Sequence, residues 1–124
     1  MEMLANKKVL IVGATGGIGS EAARLISSHG AEVFLTGRDT KALKELANEL
    51  EVPQERTFEL DVTQSGQVKE VAKKIHDRIE KLDILINASG VGVLKKLEDL
   101  TDEDFSRLLD INLKGAFYLM RAFL

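Results

Sequence analysis

The sequence predicts a doubly wound α/β protein, a parallel sheet of about four strands with helices on both faces. Three observations carry this. Val9-Leu10-Ile11-Val12 is an unbroken apolar run, the pattern of a strand buried on both faces. The run then breaks into four glycines, Gly13, Gly16, Gly17 and Gly19, before passing into a helical pattern. Finally, the succession of strand and helix recurs four times along 124 residues, which calls for parallel pairing through right-handed crossovers.

The elements follow in order. Residues 19–28 put Ala22, Ala23, Leu25 and Ile26 on one helical stripe, and His29-Gly30 supplies the stop. Residues 31–36 are a second apolar run. Gly37-Arg38-Asp39 follows, with Thr40 as the expected N-cap of a helix bearing Ala42, Leu43, Leu46, Ala47 and Leu50. Beyond Pro53, residues 57–60 read as a third strand that runs into Asp61-Val62. Val68, Val71, Ala72, Ile75 and Ile79 fall at helical spacing and predict a helix over 65–80 with a solvated charged face. Residues 82–86 are expected as a fourth strand, ended by the turn chemistry of Asn87-Ala88-Ser89-Gly90. Thr101 and Asp104 have the spacing of a capping box, predicting one helix over 101–124. Its stripe of Phe105, Leu108, Leu109, Leu113, Ala116, Phe117 and Met120 is expected to lie on the sheet. Tyr118, Leu119, Ala122, Phe123 and Leu124 add apolar surface on other sides.

Composition narrows the function. With 44% apolar and 30% charged residues, residues 1–124 read as one soluble globular domain. A net charge of −3 gives no electrostatic case for nucleic acid or a membrane surface. No run approaches the 18 or so apolar residues of a membrane span, and the apolar stretch after Lys7-Lys8 is too short for a signal peptide. The absence of cysteine fits a reducing compartment, so a cytoplasmic location is expected. No metal site is expected, because His29 and His76 stand apart from any ligand at suitable spacing.

The chemistry concentrates in the glycine-rich turn. Gly13 serves the sharp exit from the strand, Gly17 lets a ligand approach the backbone, and Gly19 lets the helix pack closely on the strand. The free N–H groups at the helix start then face an anion, for which a pyrophosphate is the expected ligand. The spacing Gly-x-x-x-Gly-x-Gly differs from the more familiar Gly-x-Gly-x-x-Gly. In a sheet of this kind, Rossmann-like in its winding, ligands lie beyond the carboxyl ends of the strands at the point where strand order reverses. That edge should collect four loops: the segment containing Thr15, Gly16 and Ile18 with its glycines, Gly37-Arg38, Asp61-Val62, and Asn87 to Gly90.

These four loops resemble those of the short-chain dehydrogenase/reductase family, and the resemblance covers nearly the whole chain. Gly13-Ala-Thr-Gly-Gly17-Ile-Gly19 is similar to the family's glycine motif and Asp61-Val62 to its adenine-contacting pair. Asn87-Ala88-Ser89-Gly90 is similar to its Asn-Asn-Ala-Gly strand end, and Asn112 to the asparagine of its catalytic tetrad. Val12 replaces a usual threonine and Ala88-Ser89 replaces Asn-Ala, which would alter hydrogen bonds between the glycine loop and the fourth strand. The resemblance implies an NAD(P)-dependent oxidoreductase. Gly37 stands where NAD-preferring relatives carry an acid, and Arg38 can pair with an adenosine 2′-phosphate, so NADP(H) is expected over NAD(H).

The family's serine and its Tyr-x-x-x-Lys pair are not found. Tyr118 is the sole tyrosine, Ala122 stands four residues on, and a core or interface role is expected for Tyr118. The chain therefore reads as the cofactor-binding half of such an enzyme, catalytically incomplete as given. Without the lysine, Asn112 reads as a polar residue at a helix irregularity. The alternative is a nucleotide-binding or sensing module without catalysis. Self-association through the 101–124 helix is expected, because apolar surface lies nearly all round its second half.

Overall fold

In a computed structural model describing residues 2–124, the sheet has four parallel strands. They are β1 (Lys8–Val12), β2 (Glu32–Gly37), β3 (Thr57–Glu59) and β4 (Ile84–Asn87), in the order β3-β2-β1-β4. Strand order thus reverses between β1 and β4. The register is continuous: Leu10 pairs with Phe34 on one side and Leu85 on the other, and Val12 pairs with Asn87. The expected α/β winding is present.

Successive side chains of a strand point to opposite faces, and β1 divides accordingly. Val9 and Ile11 join Ala23, Val33, Leu35, Leu43 and Leu46 under α1 (Gly17–Ser28) and α2 (Thr40–Glu49). Leu10 and Val12 join Phe34, Val68, Ile75, Ile111 and Leu119 under α3 (Ser65–His76) and the C-terminal helices. Every β1 residue from Val9 to Val12 is buried, which is why the run does not alternate. Both faces are covered, as the sequence predicts.

Several boundaries differ from expectation, each for a local reason. The N-cap of α2 is Asp39, not Thr40: its carboxylate accepts from the Ala42 amide at 3.0 Å, and Thr40 is already helical. Helix α1 begins at Gly17. Helix α3 stops at His76, yet Arg78 and Ile79 both donate to the Ile75 carbonyl in a closing turn, so Ile79 still reaches the core. Strand β4 starts at Ile84 because at Asp83 the side-chain carboxylate, in place of a main-chain carbonyl, accepts from the Lys8 amide at 2.8 Å. His76 is exposed, as expected, though its ring lies 5.7 Å from that of Phe123.

The largest departure concerns residues 101–124. Instead of one helix there are α4 (Asp102–Leu109), a π-helical turn (Asp110–Lys114) and α5 (Gly115–Phe123). The stripe expected on the sheet faces outward: Phe105 is 61% exposed, Leu113 63%, Phe117 51% and Met120 59%. The covered stripe is the neighbouring one, Ile111, Gly115 and Leu119, flanked by half-buried Tyr118, Ala122 and Phe123. Close packing explains the choice. A Cβ on Gly115 would stand 2.7 Å from a methyl of Val62, so the helix seats on its smallest residue rather than its largest.

The predicted capping box is present. The Thr101 hydroxyl accepts from the Asp104 amide at 3.0 Å and the Asp104 carboxylate accepts from the Thr101 amide at 3.1 Å. Thr101→Ala is expected to lower stability by about 1 kcal/mol, measured by urea unfolding; an unchanged midpoint would contradict the cap's role.

Carboxyls held low in the folded state link pH to stability, Asp83 and Asp104 among them. The Lys8 amide, assisted by the fields of Lys7 and Lys81, holds Asp83 below its ordinary pKa against partial desolvation. Lys95 and the Thr101 amide do the same for Asp104. A group depressed in the folded state contributes stability above its unfolded pKa of about 3.9, and that contribution is lost as pH falls through the folded value. The urea midpoint is therefore expected to drop below about pH 4. Asp83→Asn, which keeps an acceptor oxygen, should flatten part of that drop; an identical acid limb in the variant would refute the linkage.

Candidate functional site

The cleft is built from four strand ends. Gly13 leaves β1 at φ +76°, in the left-handed region. A Cβ there would lie 2.7 Å from the Ser89 nitrogen and 2.9 Å from the Ala88 carbonyl carbon, so both the turn and the approach of β4 require glycine. Gly19 sits beneath the turn, where a Cβ would be 2.0 Å from the Gly13 carbonyl oxygen. The first turn of α1 thereby rests directly on the end of β1.

The loop is tied at both sides. The Ala14 amide donates to the Thr36 carbonyl at 2.8 Å, and the Ala88 amide donates to the Val12 carbonyl at 2.8 Å. The replacement of threonine by Val12 therefore leaves a main-chain link from β1 to β4 in place. Ser20 is the first residue of α1 whose amide finds a helical acceptor, Gly16 at 2.9 Å. Among the described residues the amides of Gly17, Ile18 and Gly19 donate to no protein acceptor. A Cβ on Gly17 would meet nothing within 4 Å. Three unsatisfied donors at the positive end of a helix, with open space above them, fit a phosphate group.

At the end of β2, a Cβ on Gly37 would stand 2.8 Å from the Thr15 methyl, so an acidic side chain fits there only if Thr15 moves. Arg38 is exposed beside it. Beyond β3, the Asp61 carboxylate accepts from the Thr63 amide at 3.0 Å and its hydroxyl at 2.7 Å, while the Asp61 amide donates to Gln67. Burial opposes ionisation of Asp61, but the Thr63 hydroxyl and amide, with the field of Arg38, outweigh it and hold the carboxyl below its ordinary range.

The wall after β4 is held from two directions. Asn87 accepts from both the amide and the hydroxyl of Ser89, which engages the Ser89 hydroxyl in a turn. Asn112, in the π-helical turn, accepts from the Val91 amide at 3.0 Å and donates to the Val91 carbonyl at 2.9 Å. This pair reproduces one rung of a strand ladder across 21 residues of sequence.

Together these loops enclose a cleft with about 180 Å³ of water-accessible space. Of the residues singled out in the sequence, Gly13, Thr15, Gly16, Gly37, Arg38, Asp61, Val62, Ala88, Ser89 and Gly90 line it. Gly17 and Ile18 stand at the start of α1 outside this lining, Gly19 is buried under the turn, and the Asn87 side chain is spent on Ser89. Asn112 acts through Val91 rather than lining the cleft. Val12, Leu60, Val91 and Ile111 also line it and were not expected. Val12 is the last residue of β1 and Leu60 follows directly on β3, so both adjoin the loops. Among the described residues no group of three metal-ligating side chains occurs, and no helix is long and apolar enough to cross a membrane.

The sequence profile described as short chain dehydrogenase matches residues 7–124. Uncharacterized oxidoreductases of Staphylococcus epidermidis and Staphylococcus aureus are 30% and 33% identical to the chain over 122 residues, 98% of its length and 53% of theirs. The fold is similar to that of a short chain dehydrogenase from Mycobacterium smegmatis, with TM-score 0.89 and 29% identity over 98% of this chain and 52% of that one. It is also similar to a Shigella flexneri protein solved in complex with NADP, with TM-score 0.90 and 29% identity over 99% of this chain and 54% of that one. The chain thus spans about half the length of the relatives it matches.

Proposed function

Because the chain belongs to the short chain dehydrogenase family, we propose that residues 1–124 are the dinucleotide-binding half of an oxidoreductase of that family, with NADP(H) preferred to NAD(H). The observation that carries the preference is the pair at the end of β2. Gly37 abuts Thr15, so that a carboxylate there would have to displace the Thr15 side chain, while Arg38 lines the cleft beside it. An acid at position 37 would bind ribose hydroxyls and repel a 2′-phosphate; an arginine at 38 offers charge-assisted hydrogen bonds to that phosphate. The amides of Gly17, Ile18 and Gly19 hold the pyrophosphate, and Asp61-Val62 and Ile111 border the adenine. The nicotinamide supplies the hydride chemistry when bound.

In this reading Asn112 is a positioning residue: it fixes the 88–91 wall against which the cofactor lies. Tyr118 takes no part in proton transfer, since its ring packs on the core side of α5 with Arg121 stacked 5.5 Å from its centre. Residues 1–124 on their own are expected to bind cofactor and not to reduce carbonyl substrates. The cytoplasm is the proposed location, and a second copy of the chain is the proposed occupant of the exposed α4–α5 stripe.

Titration with NADPH and NADH tests the preference. NADPH should bind about tenfold more tightly or better, the size of one charged hydrogen bond, and Arg38→Ala should erase the difference while leaving NADH affinity nearly unchanged. Equal affinities for the two cofactors, or a loss in the variant shared by both, would overturn it.

A further inference from the structure

The six arginines of the chain fall into two sets. Arg24 is paired with Glu49 and Glu21, and Arg56 with Glu32. Arg78 donates to the Glu55 carbonyl, and Arg121 stacks on Phe117 and Tyr118. Arg38 and Arg107 alone, among the described residues, have guanidinium groups with no hydrogen bond, ion pair or ring contact. Both line one recess. Arg38 comes to it from the end of β2 and Arg107 from the last turn of α4, 69 positions away in sequence.

The recess is continuous with the dinucleotide cleft, because Arg38, Asp61 and Ile111 line both. Ser106 and Thr63 add hydroxyls to its wall. Three carboxylates also border it, and two are engaged: Asp61 by Thr63, and Asp110 by Lys114 at 3.3 Å. Glu103, one turn before Arg107, has no such partner among the described residues. Two guanidiniums free of hydrogen bonds and ion pairs, at the side of that cleft, are suited to a phosphate dianion, which accepts forked hydrogen bonds from both.

Resting on the NADP(H) reading above, we propose that Arg107 is a second specificity-determining residue, which with Arg38 brackets the 2′-phosphate of the cofactor's adenosine, and that Glu103 sets an upper limit on the affinity by opposing it. The Arg107 side chain is exposed on a helix whose cap lies at the far end, so its replacement leaves the fold intact.

The test compares adenosine 2′,5′-bisphosphate with adenosine 5′-monophosphate, which differ only in the 2′-phosphate, by calorimetric titration of the full chain. The wild type should favour the bisphosphate by about tenfold or more. Arg107→Gln should cut that ratio about fivefold or more without changing affinity for the monophosphate, and Glu103→Gln should raise the ratio. A ratio in Arg107→Gln within twofold of wild type, while Arg38→Ala still collapses it, overturns the role of Arg107 and leaves the NADP(H) reading standing. Equal loss for both nucleotides places Arg107 elsewhere on the adenosine and likewise overturns it. A wild type with no preference between the two nucleotides overturns both readings.

Discussion

Gly19→Ala is expected to abolish dinucleotide binding and to lower stability by about 3 kcal/mol or more, the upper range for overpacking. The added methyl would stand 2.0 Å from the Gly13 carbonyl oxygen, and neither partner can yield. Gly13 is held at positive φ against the 88–89 backbone, and position 19 belongs to a helix packed on the sheet. Relief requires lifting the first turn of α1 away from β1, which disperses the three free amides. Gly17→Ala makes the control: its methyl meets no protein atom within 4 Å, so unfolding should be nearly unchanged while dinucleotide affinity falls about tenfold or more through contact with the phosphate. Thermal unfolding and NADPH titration of both variants would check this. A Gly17→Ala protein that binds normally would show that no ligand approaches that backbone.

The second large effect is expected on assembly. Leu113→Asp with Phe117→Asp should convert the protein from a dimer or higher oligomer to a monomer at micromolar concentration, read by light scattering. Phe105, Leu109, Leu113, Phe117 and Met120 form an exposed row at helical spacing, and a contiguous apolar patch of that kind is uncommon on a soluble monomer. Two carboxylates placed mid-row would have to be desolvated in the contact, at a cost of several kcal/mol each. Neither residue belongs to the core clusters, so the fold should persist. A monomeric wild type, or an unaltered oligomer in the variant, would refute the assignment.

The sequence is legible where one residue type answers to one constraint. Buried parallel strands must be apolar throughout, so Val9 to Val12 was legible. So was the capping box, in which Thr101 and Asp104 satisfy each other. The glycines of the turn were legible for the same reason: Gly13 and Gly19 each have a steric demand that no other residue meets. It is ambiguous where two patterns coexist on one element. Along 101–124 the large apolar side chains and the tightly packed positions occupy adjacent stripes, and side-chain size selects the wrong one. What decides burial is the contact of Gly115 with Val62, a relation between residues 53 positions apart that no local pattern encodes. Thr40 and Asp39, one residue apart, meet the same chemical requirement for capping α2, and only backbone geometry selects Asp39. Ile111 and Val91 reach the cleft through tertiary packing alone.

The Asn112–Val91 clamp has a kinetic consequence. Its two hydrogen bonds join a strand-end loop to a turn 21 residues further on, and the turn acquires its place only when α5 docks against Val62 and α3. The β1–α1–β2–α2 part and the glycine turn can form beforehand from nearby segments, whereas β4 joins β1 across 75 residues of sequence and the clamp needs both β4 and α5 already in place. The 88–91 wall is then the last part of the cleft to be assembled. During refolding, recovery of NADPH binding should trail the recovery of helical circular dichroism, and Asn112→Ala should widen that interval.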